Sequence, residues 1–241
     1  MNEIKNVNEG YDFMVNIIDL MMKCIKCEIF GCEIESTYFN SISTEEWQKV
    51  YELSKEHDLV HIIGNFALKN NFVSDSELES KFEKQTVIAL GRYFTQNHEL
   101  EQIKKVFNKE QIPFVALKGP IMRKFYPEEW FRTSCDIDIL VEENMVEKAY
   151  EVLNRQLGYS LDCKNYHDLS LYSPSKVHLE LHFSILEHKE NIDILLSKAW
   201  ENTVKLNDDG YERVFSSEFF MFHMVSHLYY HFISGGCGIK S

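Results

Sequence analysis

Two aspartates two residues apart, Asp136 and Asp138 in the run CDIDILV, are the side chains best spaced to do chemistry. In a strand, side chains alternate, so both carboxylates leave one face while Ile137 and Ile139 leave the other. Like charges held this close repel, and near neutral pH the pair is tolerated only with a proton or a cation between them. A hard divalent ion is the natural occupant. Oxygen ligands with room left for a substrate phosphate favour Mg²⁺. Asp-x-Asp alone also occurs at ordinary strand ends and turns, so the neighbouring segments decide its meaning.

A second strand-like run, KVHLELHF, alternates Val177, Leu179, Leu181 and Phe183 with His178, Glu180 and His182. One face is core and the other polar. Paired beside CDIDILV in matching register, this strand brings Glu180 to the aspartates as a third carboxylate. Three carboxylates on adjacent strands support in-line phosphoryl transfer, in which metals activate the attacking oxygen and stabilise the leaving one. The plainer reading leaves Glu180 and both histidines facing water. His178 and His182 with a histidine of the last helix also permit a zinc hydrolase.

Upstream, ALKGP closes a short β-rich run at Gly119, and Pro120 suits the first position of a helix whose free N–H groups can cradle phosphate oxygens. Lys118 adds a cation at the same mouth. Arg132, four residues before Asp136, has the reach to meet a triphosphate or the charge developing on it. Both cations also make sense as solvated charges at a strand end.

The elements that must position these residues read as an α+β fold, a small mixed β-sheet with flanking helices and a helical N-terminal region. That region is expected over residues 1–105, with helical periodicity from residue 11 to about 105 and Ser43 and Glu46 as a capping box before WQKVYELSKEH. The α/β core is expected over 106–206, with strands in PFVALKG, CDIDILV, YSLDC, LSLYSP and KVHLELHF. The segment NMVEKAYEVLNRQLGY between them reads as a helix ending at Gly158. Residues 191–200 are expected to be helical, and 207–241 to form a helical segment packed on the core. Its run SSEFFMFHMVSHLYYHF reads as a buried amphipathic helix capped by Ser216 or Ser217. His223, His227 and His231 fall at four-residue steps and so share one side of it. They can bind zinc, meet substrate or form the polar edge of a buried aromatic helix. The ending GGCGIKS falls where another helix would be expected, which points to a shortened chain.

Composition bounds the partners. With 25 Lys and Arg against 38 Asp and Glu in 241 residues, the net charge of −13 repels polyanions, so extended nucleic-acid binding is disfavoured. A nucleotide can still bind where a divalent ion and a few cations override the average field. The start MNEIKNVNEG lacks the features of a signal peptide, and no stretch approaches a membrane span, which predicts a cytoplasmic protein. The six cysteines then remain reduced, and Cys24, Cys27 and Cys32 lack a partner pair for a zinc finger.

The run LKG, then Arg123, Tyr126, Pro127 and Arg132, then DIDILV, the helix to LGY and HLELHF, resembles the uncharacterised bacterial nucleotidyltransferases of the DNA polymerase β superfamily, over roughly residues 90–240. The resemblance implies a mixed sheet, two Mg²⁺ ions on Asp136, Asp138 and Glu180, and transfer of a nucleoside monophosphate from an NTP to an acceptor hydroxyl on a small molecule or protein. On that basis Glu180 binds metal or serves as base toward the acceptor. The phosphate-cradling turn falls on Gly119, where the superfamily's Gly-Ser is Gly119-Pro120 and a hydroxyl donor is lost. Lys118 or Ser134 takes its place. The 17-residue interval from Gly119 to Asp136 is longer than the superfamily's. A nucleotide-binding regulatory or antitoxin-like module with little turnover fits the same departures.

Overall fold

The strand runs become one seven-stranded mixed sheet in a computed structural model that describes residues 2–186 and 190–234. The strands are β1 (Phe114–Ala116), β2 (Asp136–Val141), β3 (Ser160–Lys164), β4 (Asp168–Tyr172), β5 (His178–His182), β6 (Thr203–Lys205) and β7 (Glu212–Phe215), in the order β3-β4-β5-β2-β1-β7-β6. The helices are α1 (Asn2–Phe30), α2 (Ser36–Asn40), α3 (Thr44–Glu56), α4 (Val60–Lys69), α5 (Ser76–Lys109), α6 (Gly119–Arg123), α7 (Val146–Leu157), α8 (Glu190–Leu196) and α9 (Ser217–Ser234). The fold is α+β, as expected.

The chain divides into two compact units, one up to Gly91 and one from Arg92. In the first, Leu20 and Cys24 of α1, Trp47 and Val50 of α3 and Ile63 of α4 are buried. Phe39 packs edge-on against Phe66 and stacks on Phe72. Ser43 and Glu46 form the expected capping box of α3. Cys24 is buried, whereas Cys27 is half-buried and Cys32 exposed, and no cysteine joins a candidate metal cluster among the described residues.

In the second unit the alternation of β2 and β5 sorts two faces. Ile137, Ile139, Leu179 and Leu181 pack with Ile103 and Phe107 of α5 and Ala149 and Leu153 of α7. On the other face Leu140 joins Val115, Leu117, Leu196 of α8 and Phe219 of α9. Each fully buried Ile or Leu is worth roughly 2 kcal/mol, so a one-residue slip of β2 would cost several such burials and drive the aspartates into the core. Hydrophobic burial thereby fixes the direction in which the carboxylates point.

Two expectations are corrected. Glu212–Phe215, assigned to the C-terminal helical segment, is strand β7, parallel to β1 and antiparallel to β6. The last helix begins at Ser217, with the Ser216 hydroxyl accepting from Phe219 N. That helix is not buried all round, since Met221, Val225, Leu228 and Phe232 are exposed. Its apolar residues lie on too many sides for periodicity to choose one. The ending GGCGIKS lies outside the described residues.

Gly158 ends α7 in the left-handed region, at φ 74°, and a Cβ there would meet Pro174 Cγ at 3.1 Å. Gly158→Ala is expected to lower the unfolding free energy by about 1–2 kcal/mol in urea titrations.

Candidate active site

Strands β2 and β5 run parallel, with Asp136 opposite His178, Asp138 opposite Glu180 and Leu140 opposite His182. Because both strands alternate in phase, the carboxylates of Asp136, Asp138 and Glu180 share a face with both imidazoles. Candidate ligand atoms of Asp138, Glu180 and His182 lie within 4.8 Å of one another, as do those of Asp136, His178 and Glu180. Glu180 belongs to both groups. His182 Nε2 donates to Asp138 Oδ1 at 3.0 Å and lies 3.3 Å from Glu180 Oε2. Lys118 Nζ is 3.5 Å from the same Asp138 oxygen.

Lys118 stands at the end of β1 with φ 40°, a conformation costly for a residue with a Cβ. Its cation lies against Asp138 of the neighbouring strand.

The acids differ in ionisation because their surroundings differ. Burial, with Asp138 and Glu180 beside it, raises the Asp136 pKa. Burial also opposes ionisation of Asp138, yet the Lys118 charge and the His182 hydrogen bond outweigh it and hold Asp138 well below the usual carboxylate range. The His182 hydrogen bond lowers Glu180 as well. His182 itself is pushed up to about 9, because its bonds to Asp138 and Glu180 overcome the burial that disfavours its charge. A protonated imidazole thus sits among carboxylates where a cation is wanted.

A cavity of about 260 Å³ opens over this cluster, with Lys118, Asp136, Asp138, Glu180 and His182 on its sheet side. Tyr166 and His167 border it, and α9 contributes His223, His227, Tyr230 and His231. The histidine row therefore turns toward the site. Burial pushes His223 down to about 3, with Lys118 and His227 adding to the effect, so it is neutral near pH 7. His227 and His231 meet through their Nε2 atoms at 2.9 Å.

Of the residues singled out in the sequence, Asp136, Asp138, Glu180 and Lys118 come together here. Gly119, Arg132 and Ser134 are not among the described residues lining the cavity. Gly119 starts the five-residue α6. The Ser134 hydroxyl donates to Asp136 O at 3.1 Å, and the Arg132 carbonyl accepts from Arg123 Nε at 3.2 Å. His178 and His182 stand four residues apart on one strand, about 13 Å, so they cannot share one metal as a zinc hydrolase would require. They flank Glu180 in separate clusters instead.

Sequence reading gave Arg123 no role. Its guanidinium is buried and reaches Gln96 Oε1, Ser134 Oγ at 2.9 Å and the Arg132 carbonyl, with Tyr93 beneath it. Gln96 Nε2 also donates to Ser134 O at 2.9 Å. This network fixes the segment that delivers Asp136. Gln96 lies 38 residues from Ser134 in the chain, and no local pattern marks the pairing.

The polar face of the mixed sheet thus gathers three carboxylates and a lysine under a cleft. A family model described as "Uncharacterised nucleotidyltransferase" matches residues 43–241, and the chain belongs to that family. Nucleotidyl transfer is its general activity class, and a nucleotide its general substrate. No curated protein and no solved structure matches the chain. No helix among the described residues is long and apolar enough to cross a membrane.

Proposed function

We propose that this protein transfers a nucleoside monophosphate from an NTP to an acceptor hydroxyl on a small molecule or protein, with Asp136, Asp138 and Glu180 holding two divalent ions. The observation that carries the reading is the register that sets Asp138 opposite Glu180 on parallel strands, with both carboxylates in one cluster. The donor set fits divalent cations: burial and the neighbouring carboxylates make Asp136 resist ionisation, and buried Asp138 holds its charge beside Lys118 and His182. The carboxylate oxygens by themselves suit Mg²⁺. When bound, the ions would neutralise the triphosphate and activate the acceptor oxygen.

The chain's own groups divide the remaining work. Lys118 and His182 orient Asp138. Glu180, the least enclosed of the three acids at the cavity, holds metal or takes the acceptor proton. Lys118 supplies a cation at the mouth, the role expected of it alongside Gly119, Arg132 and Ser134. The α9 histidines offer ring nitrogens and flat rings to whatever occupies the cleft.

The test is incubation with α-labelled NTP, Mg²⁺ or Mn²⁺ and a panel of hydroxyl acceptors. Pyrophosphate release with label on an acceptor is the expected result. The absence of Gly119, Arg132 and Ser134 from the cavity lining favours a second reading, a regulatory or antitoxin-like nucleotide-binding module. Tight NTP binding with no pyrophosphate release across the panel selects that reading.

Arg123→Lys keeps the charge but loses the fork that grips Gln96, Ser134 and the Arg132 carbonyl. It is expected to lower kcat about tenfold or more with little change in nucleotide KM, because a misplaced Asp136 impairs reaction more than binding. Steady-state kinetics checks the split.

A further inference from the structure

Among the described residues three clusters of candidate ligand atoms contain an imidazole, and two of them share Glu180: His182 with Asp138 and Glu180, and His178 with Asp136 and Glu180, the third being His167, Asp168 and His182. The repetition follows from the register, since Asp136 faces His178 and Asp138 faces Glu180, leaving Glu180 between the two groups. In the buried cluster, His182 Nε2 is 3.0 Å from Asp138 Oδ1 and 3.3 Å from Glu180 Oε2. Those are the spacings of adjacent ligands around an ion with bonds of about 2.1 Å. His182 is only 5% exposed, so its ring cannot turn away to water.

In the other cluster, the His178 ring stacks on Tyr172, and its Nε2 lies 2.9 Å from Ser170 Oγ. A hydrogen bond to one ring nitrogen is what orients a ligating imidazole. Mg²⁺ prefers oxygen ligands and keeps its waters, whereas neutral imidazole favours first-row transition ions. The three carboxylates therefore describe only part of the donor set.

We propose that this is a dinuclear site of mixed nitrogen and oxygen ligands, selective for a transition-metal cation of the Mn²⁺ kind over Mg²⁺. Glu180 stands between the ions. His182, releasing its Nε2 proton to solvent as the ion binds, completes the buried position with Asp138, and His178 completes the outer one with Asp136. The inference rests on the carboxylate reading above and adds to it the class of metal.

The test uses the full chain, stripped with a chelator and loaded with Mn²⁺ alone. Spin-echo electron paramagnetic resonance is expected to show ¹⁴N coupling from imidazole. Calorimetry is expected to show that His182→Asn and His178→Asn each weaken Mn²⁺ binding about tenfold or more while changing Mg²⁺ binding less than about threefold. Mn²⁺ bound at the carboxylates without nitrogen coupling, or equal losses for both ions, overturns the inference and leaves the carboxylate reading standing. If neither ion binds, both fall. Should a variant fail to fold, the wild-type nitrogen coupling decides alone.

Discussion

Asp138→Asn is expected to reduce nucleotidyl transfer by at least about 10³-fold, with the secondary structure intact. The side chain keeps its shape, so packing around it is preserved. What disappears is a buried carboxylate kept ionised by Lys118 and by the His182 hydrogen bond. Leaving those cations without their partner should also cost stability, on the order of 3 kcal/mol. Circular dichroism and kinetics on the same sample separate the two effects. Full transfer by a folded variant would refute the assignment of Asp138.

In chelator, the protein is expected to lose stability as pH rises from about 6.5 to 9. His182 has a folded pKa of about 9, above its ordinary value of 6.5, so its protonated form stabilises the fold. That contribution is complete below the ordinary value and is lost as pH passes through the folded one, up to about 3 kcal/mol. Asp138 and Glu180 are lowered, so their contributions are present above the ordinary carboxylate range and vanish in acid. His223, pushed down to about 3, likewise destabilises the fold as acid protonates the unfolded state first. Asp136 is raised, which partly offsets the gain from its neighbours once it ionises. Stability should therefore be greatest at about pH 5–6.5. Denaturant titrations across pH check this, and His182→Asn should flatten the alkaline limb. A wild-type protein equally stable at pH 6.5 and 9 contradicts the ion cluster.

Much of the sheet could be read from the chain because β2 and β5 carry strict alternation, and alternation fixes the face of each polar residue. The Ser43 and Glu46 box and the Ser216 cap were legible for a similar reason, since capping chemistry is local. Strands β6 and β7, of three and four residues, are too short to show a period. The histidine row of α9 announced a common side but not what that side faces, which is set by the packing of Phe219 on the sheet. The pairing of Arg123 with Gln96 was illegible because it depends on α5 and α6 converging on the segment before β2. The lysine at φ 40° was hidden too, since nothing in Leu-Lys-Gly signals a left-handed residue.

The most direct test is a crystal structure of the protein soaked with Mn²⁺ and a non-hydrolysable NTP, with anomalous scattering to locate the metal. Peaks within bonding distance of Asp136, Asp138 and Glu180, touching the triphosphate, are predicted. Manganese bound elsewhere, or a nucleotide whose phosphates lie away from these three carboxylates, would contradict the account.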